Sequence, residues 1–199
     1  MFLKKKNELL FKSIIIIRNE GRGMNKKVDV SPIRYFNDTI RLLGEGGLLL
    51  VSGNEKKANV MTIGWGLPGR LWAKPFFLVA VRPSRYTFQF IEDTGSFTVN
   101  VPTGDMKEIL NYCGTVSGRE HDKFKEKGLT LLPGRKVSSP VIAECAVHYE
   151  CKVAFKTKVV PVSLPSEVLS TFYPRGDYHT LYFGEVLACY ADEDAENKL

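Results

Sequence analysis

Long apolar runs are missing from this 199-residue chain. None approaches the roughly 20 residues a membrane-spanning helix needs, so no membrane partner is expected. Cysteine is sparse: Cys113, Cys145, Cys151 and Cys189 form no C-x-x-C pair, and no secretory signal precedes them. That excludes a disulfide scaffold and points to reduced, buried thiols in a cytoplasmic protein. The three histidines, His121, His148 and His179, lack metal-ligand spacing, so no metal site is expected. There is no G-x-G-x-x-G and no β-α-β repeat, which disfavours a Rossmann fold.

Excess charge is also missing from most of the chain. The formal net charge is +6, but eight of the 28 basic and two of the 22 acidic residues fall in residues 1–27. Twenty of each remain, so the body is neutral and a nucleic-acid partner is not expected. Residues 1–27 read as a basic extension. Lys4-Lys5-Lys6 precede Leu9-Leu10-Phe11 and Ile14 to Ile17. This pattern suits a short basic amphipathic helix and lacks the apolar core and cleavage site of a signal peptide. In a second reading Met24 is the native start, because Glu20-Gly21-Arg22-Gly23 fits a translated purine-rich stretch. A peptide upstream of Met24 in native material ends that reading.

What is present is a succession of strands. One domain is expected over residues 28–190, followed by a solvated, frayed acidic tail at 191–199. Leu48 to Ser52 reads as a buried strand. Gly53 to Lys57 turns it into a second strand at Asn59, which Gly66-Leu67-Pro68-Gly69 breaks. Phe76 to Val81, Phe97 to Val101, Val147 to Phe155 and Leu181 to Tyr190 read as further strands. Helices are expected from Ser84 to Asp93, capped by Ser84 and closed by Gly95, and from Thr103 or Asp105 to Tyr112. A short one surrounds Asp122 to Phe124. Ser31-Pro32 opens a turn or arm, and residues 161–178 form a loop able to serve as a lid. The pattern predicts a mainly β protein: an antiparallel barrel with a few connecting helices.

Two stretches carry chemistry. In Asn59-Val60-Met61-Thr62-Ile63-Gly64-Trp65, alternation sets Asn59, Met61, Ile63 and Trp65 on one face and Val60, Thr62 and Gly64 on the other. Thr62 and Gly64 fill a core poorly, and a flat polar ligand could lie on their face. In Arg82-Pro83-Ser84-Arg85-Tyr86-Thr87 a strand ends and a helix begins. Guanidinium forks, hydroxyls and first-turn amides there suit a phosphate dianion. Taken singly, each stretch is equally an ordinary strand or an ordinary capped helix.

Together with Lys74-Pro75, Phe97-Thr98-Val99-Asn100-Val101-Pro102, Ser117-Gly118-Arg119, Asp122-Lys123-Phe124 and His179 to Val186, these stretches resemble the flavin reductase-like, FMN-binding split-barrel family, including its flavoredoxin type. The resemblance runs from about residue 50 to the last strand. It implies an antiparallel Greek-key split barrel and an FMN cofactor. Ser84, Arg85 and Thr87, with Arg82 and Tyr86 beside them, would hold the phosphate. Asn59, Met61, Thr62 and Ile63 would meet the ring, and Trp65 would pack near it or in the core. Ser117, Gly118, Arg119 and Lys123 offer a second contact on the cofactor or on a nucleotide donor, or else form a surface loop. His179 would act at the ring as a catalytic residue, or is structural. His148 reads as structural and His121 as surface. The implied function is a flavin oxidoreductase drawing on NADH, NADPH or a redox-protein partner, in a homodimer. A split barrel that has lost flavin and serves binding or assembly is the alternative.

Overall fold

The computed structural model describes residues 26–199. The basic extension, its helical reading and the Met24 start lie outside the described residues, apart from Lys26 and Lys27. Ten strands occur among the described residues: β1 (Lys27–Asp29), β2 (Leu48–Gly53), β3 (Ala58–Ile63), β4 (Gly66–Leu71), β5 (Lys74–Val81), β6 (Ser96–Val101), β7 (Leu131–Leu132), β8 (Val141–Ile142), β9 (Val147–Lys158) and β10 (Thr180–Asp192). Eight form one sheet in the order β3-β2-β6-β9-β10-β5-β4, with β1 added on β10. Every pairing is antiparallel. Ala80 of β5 also donates to the carbonyl of Trp65, just past β3, so strands from opposite ends of the order meet.

β2 explains why the sequence can be apolar without alternation. Leu48 and Leu50 enter the main core, and Leu49 and Val51 enter a second core on the other face. A strand covered on both sides needs no polar face. β9 and β10, of 12 and 13 residues, form the spine. Their register shifts between Phe183 and Gly184 and again between Val186 and Ala188. Gly184 is required there, since a Cβ would sit 2.6 Å from the Phe97 ring and 2.7 Å from the Cys151 Cβ.

Five α-helices occupy connections: α1 (Phe36–Glu45), α2 (Tyr86–Thr94), α3 (Lys107–Thr115), α4 (Lys123–Glu126) and α5 (Ser166–Phe172). The sequence reading anticipates only part of this. The expected turn at Ser31-Pro32 forms, with the Arg34 amide donating to the Ser31 carbonyl at 3.0 Å, and it leads into α1, which the sequence reading lacks; α1 buries Thr39 and Leu43, and the Thr39 hydroxyl meets the Tyr149 hydroxyl at 3.2 Å. α3 begins after Met106 with no side-chain cap, because Thr103 bonds to Asp105 instead, and it runs past Gly114 to Thr115. The expected break at Gly66 to Gly69 is instead β4, an edge strand, which is where a sheet tolerates Pro68. Trp72 and Ala73, both at positive φ, turn β4 into β5.

The C-terminal residues are not frayed. Ala195 is fully buried, and Lys198 reaches Asp192 at 2.8 Å and Asp194 at 2.6 Å. Lys26 pairs with Glu193 at 2.6 Å. The acidic residues there find cations from both ends of the described chain, which holds the segment down. All four cysteines are free and buried. His148 is buried, with Nδ1 2.9 Å from Asn100 Oδ1, while His121 lies at the surface beside Glu126.

Candidate functional site

β3 runs along the floor of two adjoining cavities of about 240 and 220 Å3. Met61 and Arg85 line both. The first is completed by Asn59, by residues 84–87 at the start of α2, by residues 113–119 and by Lys123. The second is completed by residues 62–65, Ala80, Arg82 and His179. All fifteen candidate residues read from the sequence therefore lie around one continuous site, although the chain separates them by up to 120 positions. The alternation of β3 places Thr62 differently from expectation. Its hydroxyl donates to the Leu110 carbonyl at 2.6 Å, and a Cβ on Gly114 of α3 would lie 3.3 Å from its own Cβ. The Thr62 hydroxyl is thus held against α3, while Asn59 and Met61 face the first cavity and residues 61–65 line the second.

The first cavity is electropositive. Lys123 is only 4% exposed, yet its ammonium donates to the Val60 carbonyl at 2.8 Å and to the Cys113 carbonyl at 2.9 Å. An ammonium has three donors, so one remains. Burial lowers its pKa, and the charge of Arg85 adds to that effect. Arg85 itself has no side-chain hydrogen bond or ion pair among the described residues. Two like charges close enough to perturb one another, one of them unpaired, form a place where an anion relieves repulsion.

Other expected phosphate ligands are partly committed elsewhere. Ser84 is not the helix cap. Arg85 occupies that position, and Ser84 instead donates to the Asp177 carboxylate through its hydroxyl at 2.5 Å and its amide at 3.3 Å. Thr87 is buried and accepts from the Asn59 amide at 2.7 Å. Arg119 donates to the Ser84 carbonyl at 3.1 Å and lies 5.1 Å over the Tyr86 ring. Ser117 accepts from the Arg119 amide. Gly118 presses on Asn59 so closely that a Cβ would stand 1.9 Å from its Oδ1.

The second cavity is walled by aromatics. His179 is 8% exposed and packs 4.7 Å from the Trp65 ring. Its Nδ1 lies 2.8 Å from the Tyr173 hydroxyl. Burial, reinforced by Arg82, pushes its pKa down to about 4, so the ring is neutral near pH 7. Arg82 is a latch rather than a free cation: it donates to the Asp177 carbonyl at 3.0 Å and the Phe172 carbonyl at 2.7 Å, and stacks 5.0 Å over Tyr173. The 161–178 segment, expected as a loop able to serve as a lid, contains α5 and is tied to the barrel by Arg82, Ser84 and Tyr173. Tyr173 and the end of α3 were not singled out in the sequence. Nothing near Tyr173 marks it there, since its partner is fixed only by how the segment folds back.

Comparisons with known proteins bear on the fold and the family. The model of the Flavin reductase like domain family matches residues 41–199. An uncharacterized protein of Archaeoglobus fulgidus is 38% identical over 140 residues, covering 70% of this chain and 68% of that one. The crystal structure of flavoredoxin from Methanosarcina acetivorans superposes with a TM-score of 0.59 at 30% identity, covering 73% of this chain and 68% of that one. Flavoredoxin of Desulfovibrio vulgaris superposes equally well at 26% identity, covering 74% and 70%. The curled antiparallel sheet is the split barrel of such proteins. With 159 consecutive residues matched, this chain belongs to the flavin reductase-like family.

Proposed function

We propose that this protein binds FMN and uses it to pass hydride or electrons from NADH, NADPH or a redox-protein donor to an acceptor, as a flavin reductase or a flavoredoxin-type carrier. The observation that carries this reading is the first cavity, where unpaired Arg85 and buried Lys123 converge beside the start of α2. The residues fit the cofactor's phosphate: two cations with donors to spare, first-turn amides and a glycine that lets backbone approach closely. The ring would lie in the second cavity, along Met61 to Ile63, with Trp65 and His179 at its edge. When bound, FMN accepts and releases the hydride; the chain supplies placement and electrostatics. The Tyr173 hydroxyl engages His179 Nδ1 at 2.8 Å, which leaves Nε2 as the ring nitrogen to meet a ligand.

The alternative, a flavin-free split barrel serving binding or assembly, leaves the Arg85–Lys123 pair unexplained. One experiment separates the two. The purified protein should be yellow or take up FMN stoichiometrically, and NADH or NADPH should bleach it without oxygen. A protein that stays colourless under excess FMN sinks the flavin reading. We also place the protein in the cytoplasm as a homodimer. The dimer reading is supported by exposed apolar side chains on the barrel: Leu67 and Trp72 on the β4–β5 hairpin, each 62% exposed, and Phe155 on β9.

A further inference from the structure

The strap at residues 161–178 ends against the start of α2, where the phosphate of a bound FMN would sit. Asp177 makes that contact. Its carboxylate accepts from the Ser84 hydroxyl at 2.5 Å and from the Ser84 amide at 3.3 Å. Ser84 lines the first cavity with Arg85 and Thr87. A hydroxyl and an amide at a helix start are donors that an anion takes. Here a carboxylate of the chain itself takes them. We propose that Asp177 holds the place of the phosphate in the flavin-free protein, and that FMN binds by displacing it from Ser84 and releasing the strap beside the second cavity. This rests on the flavin reading, and it makes Asp177 a positioning residue that governs how readily the cofactor enters and leaves.

Pairing is the first support. Asp177 forms no ion pair among the described residues, although Arg82 and Arg85 act on His179 alongside it. Arg82 gives its donors to the Asp177 and Phe172 carbonyls, and Arg85 stays unpaired beside the first cavity. The carboxylate therefore has Ser84 alone to hold it, whereas a phosphate would have Ser84, Arg85 and Lys123. Backbone strain is the second. Asp177 stands at φ 55°, directly after Gly176 at φ 73°. The left-handed region disfavours every residue but glycine, with Asp and Asn the least penalised. The turn that aims the carboxylate is thus strained, and it relaxes when Ser84 lets go. The third is how lightly the strap is anchored. α5 buries none of its residues. Apart from Arg82 and Ser84, the strap is held by buried Tyr173, whose hydroxyl meets His179. A segment with few buried apolar contacts opens easily. Phe172 stands edge-on to Trp65 at 5.2 Å, so a strap that lifts uncovers the Trp65–His179 wall of the second cavity. Arrival of phosphate in the first cavity thereby opens the second.

Asp177→Asn and Asp177→Gly both remove the charge, and both residues accept the left-handed turn, so the fold is kept. FMN and riboflavin are titrated by fluorescence into the wild type and the two variants. FMN should bind both variants about fivefold or more tightly than the wild type, because the competing charge is gone. Riboflavin has no phosphate to displace Asp177; its affinity should stay within about twofold and serves as the folding control. A purely structural role for Asp177 gives the opposite result, a loss for both flavins. The strap is read separately by trypsin at exposed Arg175, followed as the fragment that starts at Gly176. Saturating FMN should speed that cut about threefold or more in the wild type, and saturating riboflavin should leave it unchanged. FMN binding that is equal or weaker in the variants, or a cut that FMN does not speed, overturns the displacement and spares the flavin reading. Absence of FMN binding in all three proteins overturns the flavin reading, and the proposal with it.

Discussion

Arg85 and His179 should fail in different ways. A charge-assisted contact from Arg85 to the phosphate is worth roughly 1.5–3 kcal/mol, so Arg85→Ala should weaken FMN binding by about ten- to a hundredfold. Riboflavin, which lacks the phosphate, should bind wild type and variant alike; an equal loss for both flavins removes Arg85 from the phosphate. His179→Ala should keep FMN and slow its bleaching by NADH or NADPH in stopped-flow. The pH dependence has a fixed sign. The folded His179 pKa of about 4 lies below the usual value of 6.5, so the unfolded chain binds more protons in between. His179 therefore adds stability above about pH 6.5 and loses it as pH falls towards 4. Melting curves should show wild type losing stability over that window more steeply than His179→Gln. The place of Arg85 at the start of α2, beside the first cavity, could be read from the sequence because Pro83 marks the strand-to-helix turn locally. Ser84 was misread as a cap because Asp177, which takes its hydroxyl, lies 93 positions downstream.

Among the elements, the loop at residues 117–119 packs tightly on β3. Gly118→Ala places a Cβ 1.9 Å from Asn59 Oδ1, and Asn59 in turn holds Thr87. The loop or the Asn59 side chain must shift, which changes the shape of the first cavity while leaving the barrel cores untouched. FMN affinity should fall by at least about tenfold, with a small change in melting temperature. An unchanged affinity means the loop does not shape the site. The elements that the sequence hid share a physical cause. α1 has no side-chain cap at Tyr35 and exposes Ile40, so its apolar spacing stands without a start signal and only Gly46-Gly47 mark its end. β4 carries Pro68 between two glycines, which reads as a break until edge position makes it tolerable. The strands with continuous or alternating apolar residues, β2, β6, β9 and β10, were legible because burial on one or both faces dictates their composition.

For the whole molecule the outstanding quantity is its mass in solution. Light scattering at micromolar concentration should give a dimer, and Trp72→Glu with Leu67→Glu should shift it to monomer. A wild-type monomer counts against the homodimer. The neutral body and the antiparallel architecture were readable because they follow from composition and from missing β-α-β units. The fixed C-terminal segment was not, since its acidic residues looked solvated until Lys26 and Lys198 came within reach. The sulfur chemistry of the barrel has a practical use. Burial raises the pKa of all four thiols, most strongly at Cys145 and Cys151. Thiolate is the nucleophile that alkylating reagents trap, so the native protein should be inert to iodoacetamide. Each labelling event then records an excursion of the core into solvent, and the order in which the four sites acquire label gives a stopwatch for how the barrel comes apart.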